Sequence, residues 1–257
     1  MTGATAFLRK EFHEILRTYK IYVIPSIFLL MGFLSPLVAK FTPEIVKSMA
    51  PKMEGFRIEL PTPTAIDAYT QLLKNYNQIV LLAVIFSLIG LVAEEKVRGS
   101  AALILTKPVP RRSFVAAKYL ASAVLILVST ALSYLACLYY TVIIFKKSLF
   151  AASAQAVFLV YLYYLLILAV TLFASTVSRS VALAGALSVG GYLVLSLLPS
   201  LHPWLGRYSP GALVGYQGKL IAGAATWRDA WPAAASTLGL AAVLLVLSIF
   251  VFERQEL

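Results

Sequence analysis

Charged residues are scarce in this sequence. Only 13% of the 257 residues are Asp, Glu, Lys or Arg, whereas 60% are hydrophobic. About a quarter of the residues of a soluble domain are charged, so this composition excludes an ordinary soluble protein. A chain of 257 residues has room for about six spans of roughly 20 residues plus connections, and none for a separate soluble domain. We therefore predict an all-α polytopic membrane protein, with residues 1–257 forming one transmembrane domain.

Charge is also missing from the long apolar runs. None of the 22 basic and 11 acidic residues lies within them. We predict spans at about residues 21–39, 75–93, 119–145, 156–177, 181–199 and 231–252. No buried Asp, Glu or Lys is then expected as a proton relay or ion site, which counts against ion-coupled secondary transport. The net charge of +11 comes from span ends and short loops, where contact with membrane lipids is expected and nucleic-acid binding is not.

The groups that catalytic and metal sites need are lacking as well. The single cysteine, Cys137, excludes an intrachain disulfide and lies in an apolar run, so we expect it to be a packing residue. His13 and His202 have no partners at ligand spacing, so we predict no metal site and no catalytic residue. There is no GxxxxGK[ST] phosphate loop, so this chain cannot bind ATP by that route. No cofactor is expected on this chain.

Three segments outside the spans have patterns of their own. Residues 1–20 place apolar side chains on one helical face and charged ones on the other, which predicts an amphipathic helix in the headgroup plane. Residues 40–66 form a polar connection broken by proline and glycine. Residues 200–230 are too apolar for an open loop and too broken for a span, so we expect short helices that re-enter the membrane.

The second helix is predicted to begin outside the bilayer, because Thr64 and Asp67 have the spacing of a capping box. Its helical pattern then continues without a break to Glu95. Its outer part carries polar residues at spacings that place them on one face: Asp67, Gln71, Lys74, Asn75 and Gln78. Two interpretations stay open for this stripe. It is either a solvated face, or the lining of a translocation path or a subunit contact.

Small residues recur every four positions in three of the spans. They are Ser129, Ser133 and Cys137, then Ala182, Ala186 and Gly190, then Ala235 and Gly239. Such spacing lets helices approach closely in lipid. From the spacing alone, the contacts are expected within one subunit.

Residues 94–118 are a charged interval between two apolar runs. They contain six basic residues and two acidic ones, and between Gly99 and Pro108 a run of about two turns, SAALILTK. That run is too apolar for a linker and too short to span a bilayer. It predicts a short helix that docks into a groove on another protein.

The string EEKVRGSAALILTKPVPRRSFVAAKYLA resembles the loop between the second and third spans of ABC transporter permeases of the type-2 exporter class, which have the type V exporter fold. The six-span order, the amphipathic N-terminus, the Tyr208-Ser209-Pro210-Gly211 step and the closing Phe252-Glu253-Arg254-Gln255-Glu256 are also similar. The resemblance implies that residues 94–118 hold a coupling helix contacting a separate cytoplasmic ATPase, which binds ATP and Mg²⁺. The contacting residues would be Glu94, Glu95, Arg98, Gly99, Ala101, Leu103, Ile104, Leu105, Lys107, Pro108, Arg111 and Arg112.

Further expectations about assembly follow from the resemblance. It implies a re-entrant hairpin within residues 200–230, and a dimer with a second permease copy or homologue through the first and fifth spans. The path would run between the second and fifth spans. The dense basic residues of 94–118 favour a cytoplasmic location for that loop and both termini. Residues 40–66 and 200–230 would then be extracellular, and the protein would lie in the inner (plasma) membrane.

The function predicted in this way is that of a permease subunit of an ATP-driven exporter for an amphipathic cargo such as a peptide antibiotic, lipid or drug-like molecule. Two alternatives remain open. The chain could be an ATP-independent secondary transporter or channel, which flux without ATP would reveal. It could also be a membrane scaffold or assembly factor without transport of its own.

Overall fold

The computed structural model of the chain describes residues 3–49, 62–99 and 111–255, within which all regular secondary structure is helical. The elements are α1 Gly3–Arg17, α2 Lys20–Met49, α3 Ala65–Asn75, a π-helical segment Tyr76–Val80, α4 Leu81–Leu88, α5 Ala93–Val97, α6 Arg111–Phe145, α7 Phe150–Val177, α8 Val181–Leu201, α9 Pro203–Tyr208, α10 Ala212–Ile221 and α11 Trp227–Arg254. Six stretches are long and apolar enough to cross a membrane: α2, α3 to α5 together, α6, α7, α8 and α11. The predicted six-span, all-α fold is confirmed.

The fourth span, α7, is the centre of the bundle. It packs against α6, α8, α10 and α11, and Tyr163 and Tyr164 on it are almost fully buried. The first, fifth and sixth spans are the least covered by protein. Their large exposed side chains, for example Leu30, Val194 and Val246, are suited to lipid or to another membrane protein.

The predicted close packing at the small residues of the third span is present between α2 and α6. A Cβ atom at Gly32 would clash with the backbone carbonyl oxygen of Ser133. The Ser133 hydroxyl donates a hydrogen bond of 2.5 Å to the carbonyl of Phe28. Cys137, one turn further on, is fully buried, as expected for a packing residue. The two helices can therefore lie backbone to backbone.

The first span is longer than predicted. The sequence pattern ended it near residue 39, but α2 continues to Met49 through Pro36 and Pro43. The residue before each of these prolines carries a hydroxyl: Ser35 donates to the carbonyl of Met31 and Thr42 to that of Val38, both at 2.6 Å. These bonds supply donors in the two turns where proline removes a backbone N–H. Residues 40–49 are therefore helical and continuous with the first span.

The second span begins where predicted but is not continuous. Thr64 caps α3, with both its backbone N–H and its hydroxyl bonded to the Asp67 carboxylate at 2.8 Å. The prediction of an unbroken helix to Glu95 is wrong, because a π-helical segment follows α3 and a turn separates α4 from α5. At that turn, the backbone N–H groups of Val92 and Ala93 donate to the hydroxyl of Ser175 on α7, at 3.0 and 2.9 Å. This partner from another helix replaces the missing intrahelical acceptors.

The third span starts earlier than the predicted residue 119. Helix α6 begins at Arg111, so the first two turns of the third span lie within the predicted loop 94–118. The fourth, fifth and sixth spans end close to the predicted positions. Between the last two lie α9 and α10, the short helices expected within residues 200–230.

Helix α10 is held against the bundle. Gln217 on it is fully buried, and its side-chain oxygen accepts a 2.7 Å hydrogen bond from Asn77 in the π-helical segment. The hydroxyl of Ser236 on α11 donates to the carbonyl of Tyr208 at the end of α9. The two short helices are therefore packed elements of the fold. Their depth in the membrane stays a prediction.

Candidate coupling site at the base of residues 94–118

The central part of the predicted coupling segment lies outside the described residues. This applies to Ala101, Leu103, Ile104, Leu105, Lys107 and Pro108. Their short apolar helix stays a prediction. The structure describes the two ends of the segment, which are α5 with the residues after it and the start of α6.

Gly99 marks the first end. Its backbone has a φ of +69°, a left-handed conformation that glycine adopts without the strain other residues incur. Its N–H bonds to the carbonyl of Lys96 at 3.1 Å. A glycine in this conformation is the usual way to end a helix, so Gly99 stops α5 and turns the chain.

A buried charge cluster joins three helices at this base. Lys118 on α6 has a side chain only 2% exposed and lies 3.1 Å from the Glu11 carboxylate of α1 and 2.5 Å from that of Glu95 on α5. The prediction that the spans hold no buried Asp, Glu or Lys is therefore wrong for Lys118, which lies within the third span as the structure has it. Glu11 is also buried but lies on α1, outside the spans. Lys118 comes one residue before the predicted span, and α1 covers it. Burial of both charge signs together reduces the cost of removing them from water.

Lys10 extends this cluster to the surface. It forms ion pairs with Glu14 and, at 3.0 Å, with Glu11. Burial lowers the pKa of Lys10, but the bond to Glu14 and the charges of Glu11 and Glu95 outweigh it and raise the pKa above its usual range. Burial raises the pKa of Glu14, whereas the bond to Lys10 and the charges of nearby lysines bring the pKa below its usual range. Both groups therefore stay charged at neutral pH.

A second connection ties α5 to the end of α7. Lys96 donates hydrogen bonds to the carbonyls of Thr176 at 2.8 Å and Ser178 at 3.1 Å. The side-chain amide of Gln255, just after α11, also donates to the Thr176 carbonyl, at 3.0 Å. A cation at a helix C-terminus is favourable because it faces the negative end of the helix dipole. The ends of α5, α7 and α11 thus meet at one carbonyl.

The start of α6 is tied to the end of α11. Arg111 donates to the backbone carbonyls of Glu253 at 3.0 Å and Gln255 at 2.9 Å, while Arg112 is 3.9 Å from the Glu253 carboxylate. Phe114, fully buried, stacks on Phe252 with ring centroids 4.9 Å apart. Both ends of residues 94–118 are therefore fastened to the ends of other helices.

The remaining predicted coupling residues face the surface. Glu94 and Arg98 form an ion pair at 2.6 Å, with side chains 42% and 72% exposed. Glu95 directly follows Glu94 in sequence, but its carboxylate binds Lys118 in the buried cluster. Glu94, Arg98 and Arg112 are therefore placed to meet a partner, whereas Glu95 and Arg111 bind within the chain.

The polar stripe of the second span runs from exposed to buried positions along the helix. Asp67 is exposed, whereas Asn75 is buried and its amide donates to the Ser35 hydroxyl of α2 at 2.9 Å. Gln71 donates to Asn75 at 3.3 Å. Gln78 lies in the π-helical segment and is exposed. Asp67 and Gln71 also line a cavity of about 240 Å³ between α2 and α3.

The small residues predicted for a dimer contact lie on a poorly covered side of α8. Ala182 and Ala186 are exposed, and a Cβ atom at Gly190 would meet nothing within 4 Å. This face is open in the single chain. Whether it meets a second copy stays a prediction.

Several residues that build the base carried no usable sequence signal. Glu11 is one of several charged residues in an amphipathic helix, so nothing in the sequence singles it out. Ser175, Thr176 and Gln255 are polar residues of common types near span ends. A backbone carbonyl such as that of Thr176 leaves no trace in sequence at all. Lys118 had one signal, since a basic residue directly before an apolar run is the usual place for a membrane-interface anchor.

Comparisons with known proteins agree with this architecture. A family model described as ABC-2 family transporter protein matches residues 5–257. The uncharacterized transmembrane protein YxlG of Bacillus subtilis (strain 168) is 28% identical over 252 residues, covering 98% of this chain and 97% of that protein. The similarity therefore extends over the whole transmembrane domain.

Proposed function

Because the chain belongs to the ABC-2 family of transporter proteins, we propose that it is the membrane subunit of an ATP-driven exporter, coupled to a separate ATPase through residues 94–118. Family membership supports the role of a multi-pass transport subunit rather than an enzyme. Such permeases are generally paired with an ATPase subunit. ATP and Mg²⁺ would bind on that partner.

The observation that carries this proposal is the fastening of both ends of residues 94–118. At the first end of the segment, Lys96 binds a carbonyl of α7. At the other end, Arg111 binds a carbonyl just after α11. Lys118 binds both Glu95 at the first end and Glu11 on α1. A force applied between these ends by a partner would reach three helices through charge-assisted hydrogen bonds. Such bonds transmit movement better than a flexible loop would, because their geometry allows little displacement.

We place residues 94–118 and both termini on the cytoplasmic side of the inner membrane. The support is that Arg111 binds the carbonyl of Gln255 near one terminus and Phe114 stacks on Phe7 near the other, with centroids 5.4 Å apart. The basic residues of this side also suit the cytoplasmic surface.

Dimerisation and cargo are further parts of the proposal. The exposed small residues of α8 and the poorly covered face of α2 would meet a second permease copy or homologue, with Ala182, Ala186 and Gly190 at the contact. The scarcity of charged side chains in the middle of the described spans favours an amphipathic cargo over a small ion. Charged side chains in those spans lie near their ends.

The proposal is tested by co-purification of the tagged permease from native membranes. We expect a soluble ATPase to co-elute with the wild type and to be lost from Leu103→Asp/Ile104→Asp, because charges at apolar positions would abolish docking. The matched control is Lys147→Asp/Ser148→Asp in the exposed turn between α6 and α7, which should retain the ATPase. Absence of an ATPase from intact wild-type permease would overturn the proposal and favour ATP-independent transport or a scaffold role.

A further inference from the structure

A cavity of about 380 Å³ lies beside the buried charge cluster. It is bounded by α1, the start of α2, the turn between α4 and α5, and α6. Its charged lining residues are Lys10, Glu11, Glu14, Lys20, Glu94, Glu95, Arg98 and Lys118. This volume is within the usual range for a small-molecule site.

The charges of this lining cancel, but the ammonium of one cation has no partner among the residues that the structure describes. Lys118, Lys10 and Arg98 each form ion pairs with glutamates of the same cavity. Lys20 forms no hydrogen bond or ion pair with any residue in the described part of the chain. It is nevertheless only partly exposed. A half-buried ammonium without an acidic partner is a binding group for an anion.

Ser122 supplies a second group without a partner. It is fully buried, lines the same cavity, and its hydroxyl has no hydrogen-bond partner among residues 3–49, 62–99 and 111–255. Buried hydroxyl groups are usually satisfied, so an unsatisfied one next to a cavity indicates a missing ligand or water.

The cavity adjoins a second hollow that adds apolar side chains to the lining. A neighbouring cavity of about 250 Å³ shares Tyr19, Lys20, Gly90 and Glu94 with it. Its other lining residues are Ser87 and the apolar Phe86, Ile89 and Val181. A charged compartment continued by an apolar one at the end of a membrane span matches the shape of a phospholipid, whereas a free phosphate or nucleotide would use only the charged part.

We propose that this double cavity binds a phospholipid with a phosphoethanolamine headgroup, taken from the leaflet on the side of the termini. The phosphate lies against Lys20, and an acyl chain follows the hollow at Phe86. The primary ammonium of the headgroup bonds to the half-exposed carboxylates of Glu14 and Glu94. This headgroup is favoured because its net charge of zero matches the lining. A phosphatidylglycerol would add an uncompensated negative charge, and a choline ammonium cannot donate hydrogen bonds.

The test is native mass spectrometry of the purified chain titrated with phosphatidylethanolamine, phosphatidylcholine and phosphatidylglycerol of identical acyl chains. We expect phosphatidylethanolamine to bind about tenfold more tightly than the other two, and Lys20→Gln to lower its affinity about tenfold, as for the loss of a charge-assisted hydrogen bond. Lys20→Arg should keep the binding, which separates the site from a folding defect. The control Arg9→Gln removes the same charge from an exposed position of α1 and should leave binding unchanged.

Three results would overturn the proposal. Equal binding of all three lipids would show that the headgroup is not read, and unchanged binding by Lys20→Gln would place the lipid elsewhere. Displacement of the lipid by an equal concentration of soluble O-phosphoethanolamine would assign the site to a small soluble phosphate compound, since the apolar hollow would then contribute nothing.

Discussion

Lys118 on α6 and Glu11 on α1 are 107 residues apart in sequence, yet their side chains form a 3.1 Å ion pair that is almost fully buried. Glu95 of α5 completes the group. The amphipathic N-terminal helix is thereby attached to both ends of residues 94–118. Its position depends on the chain's interior charges as well as on the membrane surface.

Removal of the lysine from this cluster should destabilise the protein strongly. Lys118→Met would leave Glu11 and Glu95 close together and uncompensated, at a cost of about 3–5 kcal/mol in the free energy of unfolding. Thermal unfolding in detergent, followed by circular dichroism, measures it. The exposed Lys147→Met is the control and should change little. The double variant Lys118→Met/Glu11→Gln should recover part of the loss, and a single variant as stable as wild type would contradict a buried ion cluster.

Coupling should depend on the bonds that Lys96 makes to the end of α7. Lys96→Gln removes charged bonds to the carbonyls of Thr176 and Ser178, so ATP-driven flux in proteoliposomes should fall about tenfold while the ATPase still co-purifies. Lys147→Gln removes the same charge from the exposed turn between α6 and α7 and should leave the flux unchanged. Equal flux from both variants would argue against transmission through α7.

The close packing of the first and third spans should not tolerate a methyl group at Gly32. Gly32→Ala would push against the Ser133 backbone and cost about 1–3 kcal/mol. Gly239→Ala, where a Cβ meets nothing within 4 Å, should be neutral or stabilising by about 0.5–1 kcal/mol through helix propensity. Urea unfolding of the two variants side by side distinguishes them, and a stable Gly32→Ala would mean that α2 and α6 can separate at little cost.

Removal of the Tyr164 hydroxyl should loosen the π-helical segment of the second span. The Tyr164 hydroxyl donates a 2.9 Å hydrogen bond to the backbone carbonyl of Tyr76, the first residue of that segment. Tyr164→Phe should weaken the segment by about 1 kcal/mol and accelerate amide hydrogen exchange there about fivefold. Tyr161→Phe on the same helix is the control, and its exchange pattern should match wild type. No change in Tyr164→Phe would mean that the carbonyl is held adequately by the helix itself.

The stability of α1 should fall at low pH through Glu14, because its ion pair with Lys10 lies within that helix. Its pKa is below the usual 4.5 when folded, so its contribution is complete above pH 4.5 and is lost as the pH falls through the folded value. The pKa of Lys10 is raised above 10.5, so its contribution is complete below pH 10.5 and disappears as the pH rises through the folded value. Glu14→Gln should remove the acid limb in unfolding curves, with an effect of only about 0.3–0.5 kcal/mol because the pair is partly exposed. An acid limb retained in Glu14→Gln would assign it to another carboxylate.

The membrane class, the number of spans and the cap at Thr64 could be predicted from local sequence. Long apolar runs without charge can be stable only as helices in lipid, and the Thr64–Asp67 spacing acts within one turn. Span lengths were less predictable. Pro36 and Pro43 signal a helix end in isolation, but α2 continues past both because packing, lipid and the Ser35 and Thr42 hydroxyls support the helical backbone.

What the sequence by itself determined is which residues enter the membrane, since burial of apolar side chains depends mainly on composition and period. Only the tertiary structure decided where the charges near the span ends go. Glu94 and Glu95 are adjacent and chemically alike, yet one pairs with exposed Arg98 and the other enters the buried cluster with Lys118. That difference depends on α1 near the N-terminus, whose Glu11 binds the same Lys118. Contacts between distant segments are set by the packing of the whole bundle, and no local pattern encodes them.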